Sequence, residues 1–224
     1  MSSPLLQGSV GMIGAGTMGI GIAQVAASAG HHVMLFDVNA EASSRALNAL
    51  HQRLQQRVDA GKADADTTQQ LLARIQIVTV LTELASCALV IEAIAERLEI
   101  KQSLFRDLEA ICSPQTLFAS NTSSLSITAI ASALKHPQRM AGLHFFNPAP
   151  VMKLVEIVRG LETDADTLNA LRELAVAWKK QPVVCRSTPG FIVNRVARPF
   201  YAETLRALEE QIATPATLDA VLRD

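Results

Sequence analysis

Apolar and polar positions follow two rhythms along the chain. Short β-branched and apolar runs at residues 10–13, 32–36, 75–78, 89–93, 116–119 and 139–143 predict strands. Between them, apolar residues at helical spacing predict helices at 17–29, 40–60, 65–74, 99–111 and 127–133. Such alternation is the pattern of a parallel sheet wound by crossover helices. After a turn marked by Asn147, Pro148 and Pro150, further strands at 154–158 and 182–185 flank a helix at 164–179, so the sheet is expected to continue. The stretch Ser187-Thr188-Pro189-Gly190 then offers an N-cap and a proline suited to a first helical turn, and helical periodicity runs from there to about residue 212. Another helix is expected over 213–224. The domain boundary is therefore placed after residue 187, giving a unit of 1–187 and an incomplete helical unit of 188–224 that is too short to bury a core alone.

Composition narrows the partners. Twenty Lys and Arg against twenty-one Asp and Glu give a net charge of -1, and the basic residues are scattered, so no nucleic-acid footprint is expected. The first thirty-six residues carry no Asp, Glu, Lys or Arg, which resembles a membrane span or signal segment. Seven of the eleven glycines fall within residues 1–30, however, and no basic segment precedes the apolar stretch, so a glycine-rich fold motif is the better explanation and no membrane segment is expected. Cys87, Cys112 and Cys185 are far apart, with no CxxC pair to hold a metal or a redox disulfide, so no metal is expected and a reducing cytoplasm suits them.

The glycine motif is Gly14-Ala15-Gly16-Thr17-Met18-Gly19. G-x-G-x-x-G alone is weak, but here it follows a predicted strand, opens a predicted helix, and precedes Asp37 at the end of the next strand. Gly14 permits the tight turn, Gly16 lets the backbone approach a pyrophosphate at the helix N-terminus, and Gly19 lets helix and strand pack closely. Asp37 would accept from the adenosine ribose hydroxyls and repel a 2′-phosphate, and Val38-Asn39 supply no arginine for one, so NAD is expected over NADP. The fold class is thus α/β, a Rossmann-type, doubly wound, mostly parallel sheet followed by the start of an all-helical second domain.

A nicotinamide enzyme needs a group to take the hydroxyl proton as hydride leaves carbon, and histidine is suited to that. Of five histidines, His31, His32, His51 and His136 fit solvated or structural positions. His144 falls at the C-terminal end of a predicted strand, the edge where open α/β sheets place ligands. A reversal centred near Pro150 would bring Glu156 on the next strand back beside it, where a carboxylate would fix the tautomer and stabilise the imidazolium. Spacing serves equally for a strand-end histidine capped by a surface glutamate. Ser123 follows a predicted strand at the same edge, while Ser124 or Ser126 fits better as a helix cap. Arg53, Arg57 and Lys62, on or near the 40–60 helix, offer cations for phosphates, though a solvated helix face explains them as well.

GMIGAGTMG, SNTSS (120–124), GLHFFNPAPVMKLVEI (142–157) and TPGFIVNR (188–195), in this order, resemble the L-3-hydroxyacyl-CoA dehydrogenase family from about residue 8 to the end. The resemblance implies that His144 is the general acid/base, Glu156 its orienting partner, and Ser123 and Asn194 hydrogen-bonders around the reacting C3 oxygen. It places Glu96 and Lys101 near the nicotinamide ribose, and Asn121 and Asn147 around cofactor and histidine; from the residues alone, Lys101 fits an intrahelical pair equally well. It implies NAD as cofactor, an acyl-CoA substrate, and a role in fatty acid β-oxidation or, from the wording closest to the bacterial members that oxidise 3-hydroxyadipyl-CoA, in phenylacetate catabolism. A short-chain 3-hydroxybutyryl-CoA dehydrogenase and a non-catalytic NAD-binding protein are the alternatives. The related β-hydroxyacid dehydrogenases use a lysine four residues before a helical asparagine, where this chain has Gly190. Relative to the family the C-terminal domain is truncated; a homodimer is expected of the full-length form, and dimerisation of the shorter chain stays open.

Overall fold

The computed structural model describes residues 4–223; residues 1–3 and Asp224, which the expected units 1–187 and 188–224 include, lie outside the described residues. The strands are β1 (Val10–Ile13), β2 (Val33–Phe36), β3 (Ile75–Val78), β4 (Leu89–Glu92), β5 (Leu117–Ser120), β6 (Met140–Phe145), β7 (Leu154–Arg159) and β8 (Gln181–Arg186). They form one sheet in the order β3-β2-β1-β4-β5-β6-β7-β8. Strands β1 to β6 are mutually parallel, β7 runs antiparallel to β6, and β8 runs parallel to β7. Winding proceeds from β1 outward to β3, then restarts at β4 on β1's other side, leaving the crevice at the C-terminal ends of β1 and β4 where doubly wound sheets take ligands.

Apolar alternation in the central strands feeds two cores. Met12, Leu35, Leu89, Ile91 and Leu143 pack on one face with α1 (Thr17–Ser28) and α6 (Ala165–Ala177). Ile13, Phe36, Val90, Phe118 and Met140 pack on the other with α4 (Leu98–Ile111) and α5 (Ile127–Ala131). Because both faces are covered, β1 and β4 are buried along their whole length; β1 reads as a continuous apolar run, and β4 does so up to its last residue, Glu92. The long helix α2 (Ala40–Asp59) is capped by Asn39 and pairs with α3 (Ala65–Ala73), itself capped by Asp64. Pro182 is tolerated because β8 is the edge strand.

The start of the last long helix differs from the sequence expectation. Helix α7 (Val193–Glu209) begins several residues after Ser187. The Ser187 hydroxyl instead accepts from the Ile127 amide, tying the segment back to α5. Gly190 and Phe191 adopt φ of 76° and 47°, a left-handed turn that cannot be the first turn of a right-handed helix. A short α8 (Pro215–Val221), capped by Thr214, follows.

Candidate active site

The turn between β1 and α1 is as tight as its glycines allow. Gly14 has φ of 96°, and a Cβ added at Gly19 would lie 1.7 Å from the Gly14 carbonyl oxygen. At Gly16 the reverse holds: an added Cβ would meet nothing within 4 Å, and no side chain caps α1. The exposed Gly16 and Thr17 therefore leave open space before the free amides of the helix N-terminus, a cradle for an anionic group. Asp37 Oδ2 accepts from the Ala15 amide at 2.8 Å and Oδ1 from the Asn39 amide at 2.9 Å, so the carboxylate is fixed beside the turn. An apolar cavity of about 490 Å³ opens between Gly14, Phe36, Leu81, Ile94 and Leu104; its charged lining residues, Asp37, Glu99 and Asp107, are all acidic. Slot, carboxylate and cradle fit the adenosine and pyrophosphate of an unphosphorylated dinucleotide.

A second cavity, about 480 Å³, collects the other candidates: Met18, Glu96, Lys101, Asn121, Ser123, His144, Asn147 and Asn194 all line it. Strand register explains the central pair. The β6/β7 antiparallel ladder sets His144 directly opposite Glu156, and the side chains meet at 2.7 Å between Nδ1 and Oε2. Both are buried. An ionised carboxylate can only accept, so a neutral imidazole in this pair carries its proton on Nδ1 and keeps Nε2 as its acceptor. The other carboxylate oxygen, Oε1, accepts from the Ile192 and Val193 amides, each at 2.9 Å, at the start of α7. Glu156 thus orients the imidazole and caps the helix with one group. Phe146 and Phe191 flank the imidazole, their ring centroids 4.6 Å and 5.7 Å from it.

Asn121 accepts from the Phe145 amide at 2.9 Å and so holds the end of β6. Ser124 donates to Glu96 and Ser126 caps α5, which leaves the exposed Ser123 hydroxyl without a protein partner among the described residues. The turn after β6 is locked from outside by Lys180, whose ammonium donates to the Ala149 and Met152 carbonyls and whose pKa burial pushes down.

Lys101 makes no pair within its own helix. Buried, it donates to Glu92, at the end of β4, and pairs with Glu96 at 3.3 Å. Glu92, fully buried, also accepts from the Ser120 hydroxyl at 2.7 Å and the Ile94 amide at 2.7 Å. Burial pushes the Glu96 carboxyl up, but hydrogen bonds from Thr122 and Ser124 and the charge of Lys101 outweigh it and hold Glu96 below the ordinary carboxylate range. Sequence reasoning missed Glu92, though a carboxylate ending an otherwise apolar strand at the ligand edge was a visible signal. It also missed Thr122, which donates to Glu96, and Arg198, which lines the cavity one turn beyond Asn194.

The three cations expected for phosphates part company. Arg53 donates to Gln24 at 3.0 Å and Lys62 is exposed on its loop. Arg57 lines a separate cavity of about 360 Å³ together with Lys153, Lys179 and Lys180. The remaining histidines are elsewhere; His31 is buried on Trp178 and bonded to the Gly8 carbonyl.

Fold and site together define a dinucleotide-binding α/β domain with a histidine and a carboxylate paired at its ligand edge. Residues 9–188 match the family model described as 3-hydroxyacyl-CoA dehydrogenase, NAD binding domain, and residues 190–224 match that of the 3-hydroxyacyl-CoA dehydrogenase C-terminal domain. The chain belongs to the 3-hydroxyacyl-CoA dehydrogenase family. It is 59% identical over 216 residues to the 3-hydroxyadipyl-CoA dehydrogenase of Escherichia coli (strain K12), covering 96% of this chain and 46% of that protein. To the 3-hydroxybutyryl-CoA dehydrogenase of Bradyrhizobium diazoefficiens it is 40% identical, covering 96% of this chain and 73% of the other. A crystal structure described as 3-hydroxybutyryl-CoA dehydrogenase from Escherichia coli K12 superimposes with a TM-score of 0.95 at 59% identity, over 97% of this chain and 46% of the other. The chain thus spans about half the length of its E. coli relative, and the names of its relatives differ in acyl chain.

Proposed function

We propose that this protein oxidises (S)-3-hydroxyacyl-CoA to 3-ketoacyl-CoA with NAD, with 3-hydroxyadipyl-CoA as the preferred substrate. The observation that carries the reading is the His144–Glu156 pair at 2.7 Å, lining one cavity with Ser123 and Asn194. Bound NAD would supply the hydride acceptor, with Gly14, Gly16, Thr17, Met18, Gly19, Asp37, Glu96, Lys101, Asn121 and Asn147 around it. His144 Nε2 takes the proton of the C3 hydroxyl, and Glu156 stabilises the imidazolium that forms. The α7 amides at the other oxygen help keep that carboxylate ionised without a competing cation beside it. Ser123 and Asn194 donate hydrogen bonds to the C3 oxygen, and Phe146 and Phe191 shield the ring from water. In reverse, the same imidazolium returns the proton.

The basic cavity of Arg57, Lys153 and Lys179 is the reading's dock for the CoA phosphates. Residues 1–187 form the NAD-binding and catalytic unit, and 188–224 begin the helical unit. The longer family form is a homodimer in this reading, and the three free thiols support a cytoplasmic setting. Oxidation of 3-hydroxybutyryl-CoA is the second reading, favoured by the name of the solved E. coli relative.

The test follows absorbance at 340 nm with 3-hydroxyadipyl-CoA and 3-hydroxybutyryl-CoA, in the wild-type protein and His144→Gln. Turnover should be greater with the adipyl substrate and fall at least ~10²-fold in the variant, the usual loss for an acid/base group, while NADH binding persists. Dinucleotide binding with no acyl-CoA-dependent change would make the protein a non-catalytic NAD binder.

A further inference from the structure

Arg198 is the one charged residue lining the active-site cavity that the mechanism above leaves unused. It lies four residues after Asn194 on α7, so both side chains share a helix face, and both line the cavity that holds His144 and Ser123. The other charges there are spoken for. Lys101 is paired with Glu92 and Glu96, and His144 with Glu156. Among the described residues the Arg198 guanidinium has neither an acidic partner nor a hydrogen bond, and it is exposed to the cleft.

The remaining charge is negative on balance: Glu96 lines the cavity, and Glu92 and Glu156 lie buried behind its wall, against the single ammonium of Lys101. A neutral acyl chain is indifferent to that balance. A chain ending in a carboxylate would be repelled by it unless a cation met the far end. A guanidinium is the group matched to that task, since its planar fork receives both oxygens of a carboxylate at once. The CoA phosphates are a second possible source of negative charge. The cavity of Arg57, Lys153 and Lys179 offers cations for them and shares no lining residue with the cavity of Arg198.

We propose that Arg198 is a specificity residue that receives the terminal carboxylate of a dicarboxylic 3-hydroxyacyl chain while its C3 oxygen faces His144, Ser123 and Asn194. This rests on the dehydrogenase reading above and adds what selects the acyl group. A helix-borne arginine one turn from the substrate-oxygen donor sets the distance from reacting carbon to chain end, so the preference is for one length of diacid as well as for its charge.

The experiment compares 3-hydroxyadipyl-CoA with 3-hydroxyhexanoyl-CoA, which has the same chain length and no carboxylate, in the full-length wild-type protein and in Arg198→Gln and Arg198→Lys. Since Arg198 is exposed and unbonded, neither substitution strands a buried partner. The wild-type protein should favour the adipyl chain, and the ratio of kcat/KM between the two substrates should fall about 10- to 100-fold in Arg198→Gln, through a higher KM for the adipyl chain. Arg198→Lys should retain a larger part of the ratio, because it keeps the charge and loses only the fork. A parallel loss on both substrates would overturn the proposal, since it would assign Arg198 to the CoA moiety or to α7; so would an unchanged ratio. A wild-type protein inactive on both chains would instead remove the dehydrogenase reading, and the assignment of Arg198 with it.

Discussion

A carboxylate has two oxygens, and Glu156 uses them for different purposes: one fixes the tautomer of His144, the other caps the start of α7. The sequence suggested the first use through the spacing around the Asn147–Pro150 turn; nothing in it indicated the second, because the amides of Ile192 and Val193 are far away along the chain. Glu92 illustrates the same limit. It has no contact with solvent, yet its position beneath Lys101 and Ser120 makes it a positioning residue for Glu96 and for the loop that carries Asn121 and Ser123. Glu92→Gln should leave Lys101 buried against a neutral amide, lowering stability by about 1–3 kcal/mol. It should also raise KM for NADH about tenfold with a smaller change in kcat. A lowered Tm with KM for NADH unaltered would reduce Glu92 to a structural role. The thiols behave as core: burial pushes Cys87 up to about 12 and Cys112 to about 11, while burial and the charge of Glu156 push Cys185 to about 11.

Among the elements, β1 and α1 are the most tightly specified. An added methyl at Gly19 would overlap the backbone oxygen of Gly14, an atom that no rotamer change can move. Gly19→Ala should therefore open the turn, weaken NADH binding at least tenfold in a direct titration, and lower Tm. Wild-type affinity in that variant would show that the turn yields elsewhere. Most elements were legible because their period is imposed locally: strands buried on both faces must be continuously apolar, and helices on the outside must be amphipathic. The start of α7 was not legible. Pro189 and the preceding hydroxyl residues have the chemistry of a helix start, but the Ser187 hydroxyl is taken by Ile127 and the left-handed turn at Gly190 and Phe191 delays the helix until Glu156 can cap it.

At the level of the whole molecule, an ion-pair cluster ties α4 to the loops that lead into β5 and β6. Glu109 accepts from the Lys135 and His136 amides and from Arg139, whose guanidinium also donates to the Ser113, Pro114 and Thr116 carbonyls. Burial pushes the Glu109 carboxyl up, but those donors and the arginine's charge outweigh it and hold it below its ordinary value of 4.5. A carboxyl lowered on folding binds fewer protons in the native state, so its contribution is complete above 4.5 and is lost as pH falls through the folded value. Glu109→Gln should thus have a lower Tm than wild type at neutral pH, with the gap closing as the solution is acidified below 4.5. A gap of constant size from pH 7 to 3 would place the stabilisation outside this titration.

The sequence alone determined the order of strands and helices, the dinucleotide turn and the family, because each is written in local periodicity or in contiguous motifs. Only the tertiary structure decided that His144 faces Glu156 rather than solvent, that Lys101 is buried against Glu92, and that Arg198 enters the active-site cavity. Those facts depend on which strands lie side by side and on where a helix begins. Burial makes the dependence strong: a charge removed from water has to find its partner wherever the fold provides one, and distance along the chain gives no sign of where that is.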